Sequence, residues 1–340
     1  MDLALYGEGG FYTCGGGAGR RGDFITSPQV GPLFGAVLAR MLDAVWHDLD
    51  EPSTFTVVEA GAGSGTLARA IRAAQPHCLA ALEYVAVEVS AKQRAMHPDW
   101  VTSVEMMPEE PITGVVLANE LLDNLPFRLF VMDAGWREAY VISRPDGTFA
   151  EVLRSAADID DLKLPPVRVH GARVPAQQRA AAWAALARRK IARGKLVVID
   201  YATPSSSSMA LRPWRDWLRT YSEHQRGGHY LVDPGSQDIT AEVAIDQLLV
   251  GDRDLWSVRT QRQFLQRWGI DDLVAEGRQI WSDHAARPTV AALTMRSRVR
   301  EAEALCDPAG LGAFIVLEID VVGHQFETEL APQNESSDLF

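Results

Sequence analysis

Three glycines at alternate positions, Gly61, Gly63 and Gly65, come shortly after Glu59 and the β-branched run Thr56-Val57-Val58, and just before the helix-forming stretch Leu67 to Ile71. Glycine allows a sharp turn and lets a ligand approach the backbone without interference from a Cβ. A buried strand, such a turn and a helix in that order make a cradle for a small molecule. A dinucleotide fingerprint has the spacing G-x-G-x-x-G, and here the third glycine comes one residue early, with Thr66 in its place. The turn holds no lysine and no G-K-[ST], which argues against a phosphate-binding loop. Glu59 can meet a cationic or hydroxyl-bearing group. Glu88, near the end of a second strand from Tyr84 to Ser90, can accept both hydroxyls of a ribose. That reading supports an adenosine ligand without choosing among cofactors, and a solvated strand-end glutamate is the alternative. A third buried strand, Val115 to Ala118, runs directly into Asn119, Glu120 and Asp123. In an open α/β sheet ligands bind beyond the carboxyl ends of the strands, so these side chains stand where chemistry would occur. Glu120 and Asp123 share a face if the segment turns helically. Otherwise Asn119 caps a short helix whose dipole the acids favour.

The elements that position these groups can be read from periodicity. Leu38, Met41, Leu42 and Val45 give a helical pattern from Leu33 to Leu49, preceded by Thr26, Ser27 and Pro28. Thr26 and Ser27 either cap that helix or contact the ligand. The chain from Met1 to Arg21, with Gly15, Gly16, Gly17 and Gly19, reads as a loop of little intrinsic order that could form a lid. From Phe127 to Leu153 alternation replaces helical periodicity, and Asp146-Gly147 marks a hairpin, so an antiparallel insertion is expected. Leu164-Pro165-Pro166 begins an extended stretch, and a helix is expected from Ala176 to Arg193, ending at Gly194. A buried strand follows over Leu196 to Ile199, closed by Asp200-Tyr201. Pro204 to Ser208 then reads as a flexible loop or lid. Trp214, Trp217 and Tyr221 fit core packing better than substrate binding, and His224 reads as a structural histidine.

The chain has 340 residues, 47% hydrophobic and 23% charged, the balance of a globular protein with one large domain or two sharing a core. No apolar run approaches bilayer length and the first residues lack a signal-peptide pattern, so a cytoplasmic location without membrane contact is expected. Three scattered cysteines, Cys14, Cys78 and Cys306, form neither a disulfide framework nor a CxxC site. Eight histidines without ligand spacing make a metal-free protein the expectation. A net charge of −12 argues against nucleic acid as a partner and suits a cationic one, although it can serve solubility alone.

The glycine turn with its preceding glutamate is similar to motif I of class I S-adenosylmethionine (SAM) methyltransferases. The segments LALYGEGGFYT, GDFITSPQVGPLFG, VVEAGAGSGTL, VEVS, NELLDNLPFRLF, LVVIDYA, LRTY, PGSQDIT and QRQFLQRWGI occur in the order of one family. Over roughly residues 3 to 320 the chain resembles the MidA-like SAM-dependent methyltransferases, whose mitochondrial members are protein arginine methyltransferases acting during respiratory complex I assembly. The resemblance implies an α/β fold of the class I SAM-methyltransferase type. That fold is a Rossmann-like mixed sheet with helices on both faces, an antiparallel insertion and helical N-terminal and C-terminal additions. The expected divisions are an N-terminal lid and helix (1–50), a SAM-binding half (51–126), the insertion and its helix (127–195), completion of the sheet with substrate-side helices (196–325) and a flexible tail (326–340). It implies SAM as cofactor, held by Gly61, Gly63, Gly65 and Glu88, with Glu59, Thr26 and Ser27 nearby and Asn119 and Glu120 facing the transferred methyl. A protein substrate is the implied partner. A guanidinium needs a carboxylate to orient it, and Glu120 with Asp123 behind it is the candidate. The chain departs from the family where it carries Ala62 and Ser64 in place of Pro and Arg, Ala202 in place of Gly, and Glu242 in place of His. A small-molecule O- or N-methyltransferase and a non-catalytic SAM-binding assembly factor are the alternative readings, and an NAD dehydrogenase is disfavoured by the glycine spacing.

Overall fold

The computed structural model describes residues 1–14, 26–222, 225–249, 253–287 and 289–322. The glycines from 15 to 19, residues 22–25, His224 and the tail 326–340 lie outside the described residues. The chain opens with α1 (Asp2–Tyr6), α2 (Ser27–Val30) and α3 (Pro32–Asp48), and then enters β1 (Phe55–Ala60). There follow α4 (Thr66–Ala73), β2 (Leu82–Val87), α5 (Ala91–Arg94), β3 (Thr102–Val104) and β4 (Ile112–Asn119). The antiparallel strands β5 (Arg128–Met132), β6 (Trp136–Ser143), β7 (Phe149–Arg154) and β8 (Arg173–Ala176) come next, then α6 (Gln178–Arg189) and β9 (Ile191–Asp200).

A seven-stranded sheet has the order β3-β2-β1-β4-β9, followed by the strands Ile315–Val321 and Ser257–Thr260. Its first five strands are parallel, and Ile315–Val321 runs antiparallel to both of its neighbours. Both faces are covered, which is why β1, β4 and β9 are near-continuous apolar runs. On one face Val57, Val115 and Val197 pack against Leu38 and Met41 of α3, Leu67 of α4 and Phe264 of the helix Gln261–Arg267. On the other, Val58, Val116 and Val198 pack against Trp183 and Ala187 of α6. The insertion is a separate sheet of order β7-β6-β5-β8, in which the fourth strand, β8, carries no alternating signal in the sequence.

Three expectations need correction. The helix after the insertion stops at Arg189, and Ile191 to Gly194 belong to β9. Pairing of Ile191, Arg193 and Gly194 with β4, with Ala192 at an irregularity in the register, overrides the helix propensity of this stretch. Gly194 is therefore no helix stop: it lies in the sheet opposite Gly114, where a Cβ would come within 1.8 Å of the Gly114 carbonyl oxygen. The serine run is no loop either, because Ser206–Ala210 is a helix capped by Ser205, whose Oγ accepts from Ser208 N at 3.2 Å. Asp246 fixes it further by accepting from the backbone N and the hydroxyl of Ser206. Met1 to Cys14, expected to have little order, contains α1 and a series of hydrogen-bonded turns, with Leu5 and Phe11 buried.

Candidate functional site

β1 ends at Ala60, and the backbone then turns through Gly61 (φ +71°), Gly63 (φ +54°) and Gly65 (φ +76°) into α4. Gly61 and Ala62 donate from their amides to the Val87 carbonyl at 3.0 and 3.1 Å, which ties the turn to the end of β2. Glu88 stands one residue past β2. Its Oε2 accepts from Gly63 N at 2.9 Å and its Oε1 from Ser90 N at 2.8 Å. These two amides orient the carboxylate and leave each oxygen with a further lone pair.

The turn and the ends of β2 and β4 open onto one cleft of about 1040 Å³ including its mouth, the size of a small-molecule site. Of the residues expected to act together, Thr26, Glu59, Gly61, Gly63, Glu88, Asn119 and Glu120 line it. Gly65, Ser27 and Asp123 do not. Gly65 serves the entry into α4 in a left-handed conformation. Thr26 occupies the N-cap position of α2 without a side-chain cap bond, and the Ser27 hydroxyl instead donates to Gln261 Oε1 at 2.9 Å. Asp123 lies in a short 3-10 turn and accepts from the Thr240 hydroxyl, so it shares no helical face with Glu120. Glu59 is buried, and the hydroxyl-bearing group it meets is Tyr84, which donates to it at 2.7 Å. Burial pushes the Glu59 carboxyl up to about 8.

Glu120 follows β4 with φ +53°, a backbone conformation costly for a side chain larger than glycine, and its amide donates to the Ile199 carbonyl of β9 at 2.8 Å. Its Oε1 accepts from Ser27 N and from Asn119 Nδ2, both at 3.1 Å. No donor among the described residues reaches Oε2. Burial lifts the Glu120 carboxyl to about 8, with Asp123 adding to the rise and the two hydrogen bonds opposing it. Asn119 Oδ1 is buried with no hydrogen-bond partner among the described residues. A buried acceptor left unpaired is costly, so this one suits a ligand donor.

The remaining wall comes from distant parts of the chain. Tyr6 and Tyr12 stack with ring centroids 5.6 Å apart and line the cleft with Asn124 and Trp183. The Tyr6 hydroxyl donates to the Asn124 carbonyl, and the Tyr12 hydroxyl donates to Asp238 Oδ1, each at 3.1 Å. Behind Glu120, Asp200 Oδ2 accepts from the amides of Leu121 and Leu122 at 3.2 and 2.8 Å. Sequence reasoning missed Tyr6, Tyr12, Asn124 and Asp238. The segments LALYGEGGFYT and NELLDNLP contain the first three, but their types alone carry no chemical signal.

A family model described as "Putative S-adenosyl-L-methionine-dependent methyltransferase" matches residues 37–258. Among curated proteins, the chain is 27% identical over 275 residues to the mitochondrial protein arginine methyltransferase NDUFAF7 homolog of Drosophila melanogaster, covering 69% of this chain and 61% of the fly protein. It is 25% identical over 305 residues to mitochondrial protein arginine methyltransferase NDUFAF7 of Danio rerio, covering 77% of this chain and 70% of the fish protein. Among solved structures, it is similar to a "likely methyl transferase" from Burkholderia thailandensis bound to S-adenosyl-homocysteine. That match has 29% identity and a TM-score of 0.77, over 94% of this chain and 86% of the bacterial one.

Proposed function

We propose, from the premise that the chain belongs to the S-adenosyl-L-methionine-dependent methyltransferase family whose model matches residues 37–258, that it methylates a guanidinium nitrogen of a protein arginine. The cleft suits the cofactor. Gly63 lines it with nothing within 4 Å of where a Cβ would stand, Glu88 offers lone pairs to ribose hydroxyls, and the unpaired Asn119 Oδ1 awaits a donor. SAM when bound supplies a methyl group on a sulfonium, ready for in-line displacement. The chain's own residues then supply alignment, exclusion of water and a destination for a proton.

The observation that carries the arginine reading is Glu120, which lines the cleft with the glycine turn and whose Oε2 accepts no hydrogen bond from the described residues. A guanidinium beside it would pull its raised pKa back down and hold it as a carboxylate, which would orient the acceptor nitrogen. After transfer that nitrogen carries one proton too many, and the carboxylate so held is placed to accept it. The arginine methyltransferase names of the fly and fish relatives support the same acceptor. The test is to incubate the protein and SAM with lysate from cells lacking it, and to search the proteins by mass spectrometry for methylarginine. Methylarginine that appears with the wild type and not with Glu120→Gln supports the reading. Methylation confined to low-molecular-weight products would refute it.

A further inference from the structure

The turn from Gly61 to Gly65 has three residues at positive φ and no proline, so it has little stiffness of its own. It is held from outside. The Gly63 amide donates to Glu88 Oε2, and the Gly63 carbonyl lies 2.8 Å from His97 Nε2. These peptide groups flank the Gly63 Cα, so holding both fixes its φ and ψ. A carbonyl only accepts, hence Nε2 carries the hydrogen. On the other side of the ring Nδ1 lies 2.8 Å from Ser103 Oγ, whose hydroxyl can donate to it and hold that tautomer. Arg69 reinforces the arrangement, donating to the carbonyls of Ser64 at 2.9 Å and Met96 at 3.2 Å, and so joins the turn to the segment that carries His97. His97 is not among the residues lining the cleft.

We propose that His97, supported by Ser103, is a positioning residue for cofactor binding, holding the Gly63 carbonyl so that the turn is preformed before the ligand arrives. The inference rests on the reading of the cleft as a SAM site. Without the His97 bond, Gly63 regains backbone freedom that binding must remove again, and affinity falls by about tenfold.

The experiment is calorimetry on the full chain with S-adenosyl-homocysteine as the probe, paired with the melting temperature of the ligand-free protein. His97→Phe keeps a ring beside Gly65, where an added Cβ would meet His97 Cδ2 at 3.2 Å, but removes the donor. His97→Gln restores an N–H donor. The expected result is about tenfold weaker binding for His97→Phe, recovery to within about threefold for His97→Gln, and unchanged melting of both ligand-free variants. If His97→Phe lowers the ligand-free melting temperature, Ser103→Ala decides, since that residue is exposed. Weaker binding with unchanged melting supports the inference, and unchanged binding overturns it. No binding by the wild type removes the SAM reading and the inference with it. Wild-type binding that His97→Phe leaves within twofold overturns the positioning role alone.

Discussion

Gly63→Ala separates what the turn does for the fold from what it does for the ligand. At φ +54° the residue is left-handed, which costs an alanine about 1–2 kcal/mol relative to glycine. Nothing stands within 4 Å of the new Cβ, so no steric cost is added in the ligand-free protein. With an unfolding entropy of roughly 0.7 kcal/mol/K for a chain of this length, the melting temperature should fall by about 1.5–3 °C. The same Cβ stands in open space at a residue that lines the cleft, where a bound cofactor would pack against the backbone. An extra methyl in a packed contact costs about 1–3 kcal/mol, or roughly 5- to 150-fold in affinity. Gly147→Ala is the control. It carries a similar backbone cost at φ +82°, nothing stands within 4 Å of its Cβ, and the residue does not line the cleft. It should destabilise about as much and leave ligand binding unchanged. Calorimetry with S-adenosyl-homocysteine and differential scanning fluorimetry provide both numbers. If Gly63→Ala binds within twofold of the wild type while its melting falls as expected, the open face of the turn is not a ligand contact and the cofactor placement is wrong.

Glu120→Gln should lower methylarginine formation by about 10²-fold or more while leaving S-adenosyl-homocysteine affinity within a few fold, and full turnover in the lysate assay would remove its role. Burial holds the carboxyls of Glu59 and Glu120 up at about 8 and that of Asp238 at about 7. The folded chain therefore keeps protons that the unfolded chain releases, and stability should decline as pH rises from about 5 to 8. Urea midpoints at the two ends of that range check the sign, with a shallower decline in Glu59→Gln, whose amide oxygen can still accept from Tyr84. A midpoint that rises with pH would contradict it. Gly114→Ala should prevent folding, because its Cβ would lie 1.9 Å from the Thr56 carbonyl oxygen at φ +151°, and soluble protein with wild-type circular dichroism would show that β1 and β4 are spaced otherwise.

The parallel strands and the glycine turn were legible because each is specified within a few residues. A run such as Val57-Val58 buried on both faces announces itself by its composition, and a glycine turn by its spacing. The end of α6 was not legible, since Ala192 and Arg193 favour helix and only the pairing of Ile191, Arg193 and Gly194 with Ile112, Thr113 and Gly114 draws this stretch into β9. The serines at 205–208 were misread for a similar reason: Asp246, forty residues away, holds Ser206 in a helix that composition does not favour.

The same distinction divides the site. Its donor half is local, since Gly61, Gly63 and Glu88 lie within two consecutive strand-to-helix units, and the spacing that forms the cradle also identifies it. The half proposed for the acceptor joins Tyr6 and Tyr12, Ser27, Glu120 and Asp238, and the Tyr12–Asp238 bond alone spans 226 residues of the chain. No periodicity links them, and each is unremarkable alone: a tyrosine in a glycine-rich segment, an aspartate opening a short strand. What joins them is burial, because Asp238 is accommodated only with the Tyr12 hydroxyl and Asn124 Nδ2 donating to it. Those bonds tie Tyr12 to Asp238 and Asn124, and Tyr6 and Tyr12 line the same cleft as Glu120. On the proposed reading, the choice of acceptor is therefore written in contacts made by folding, whereas the cofactor is written in the spacing of a single turn.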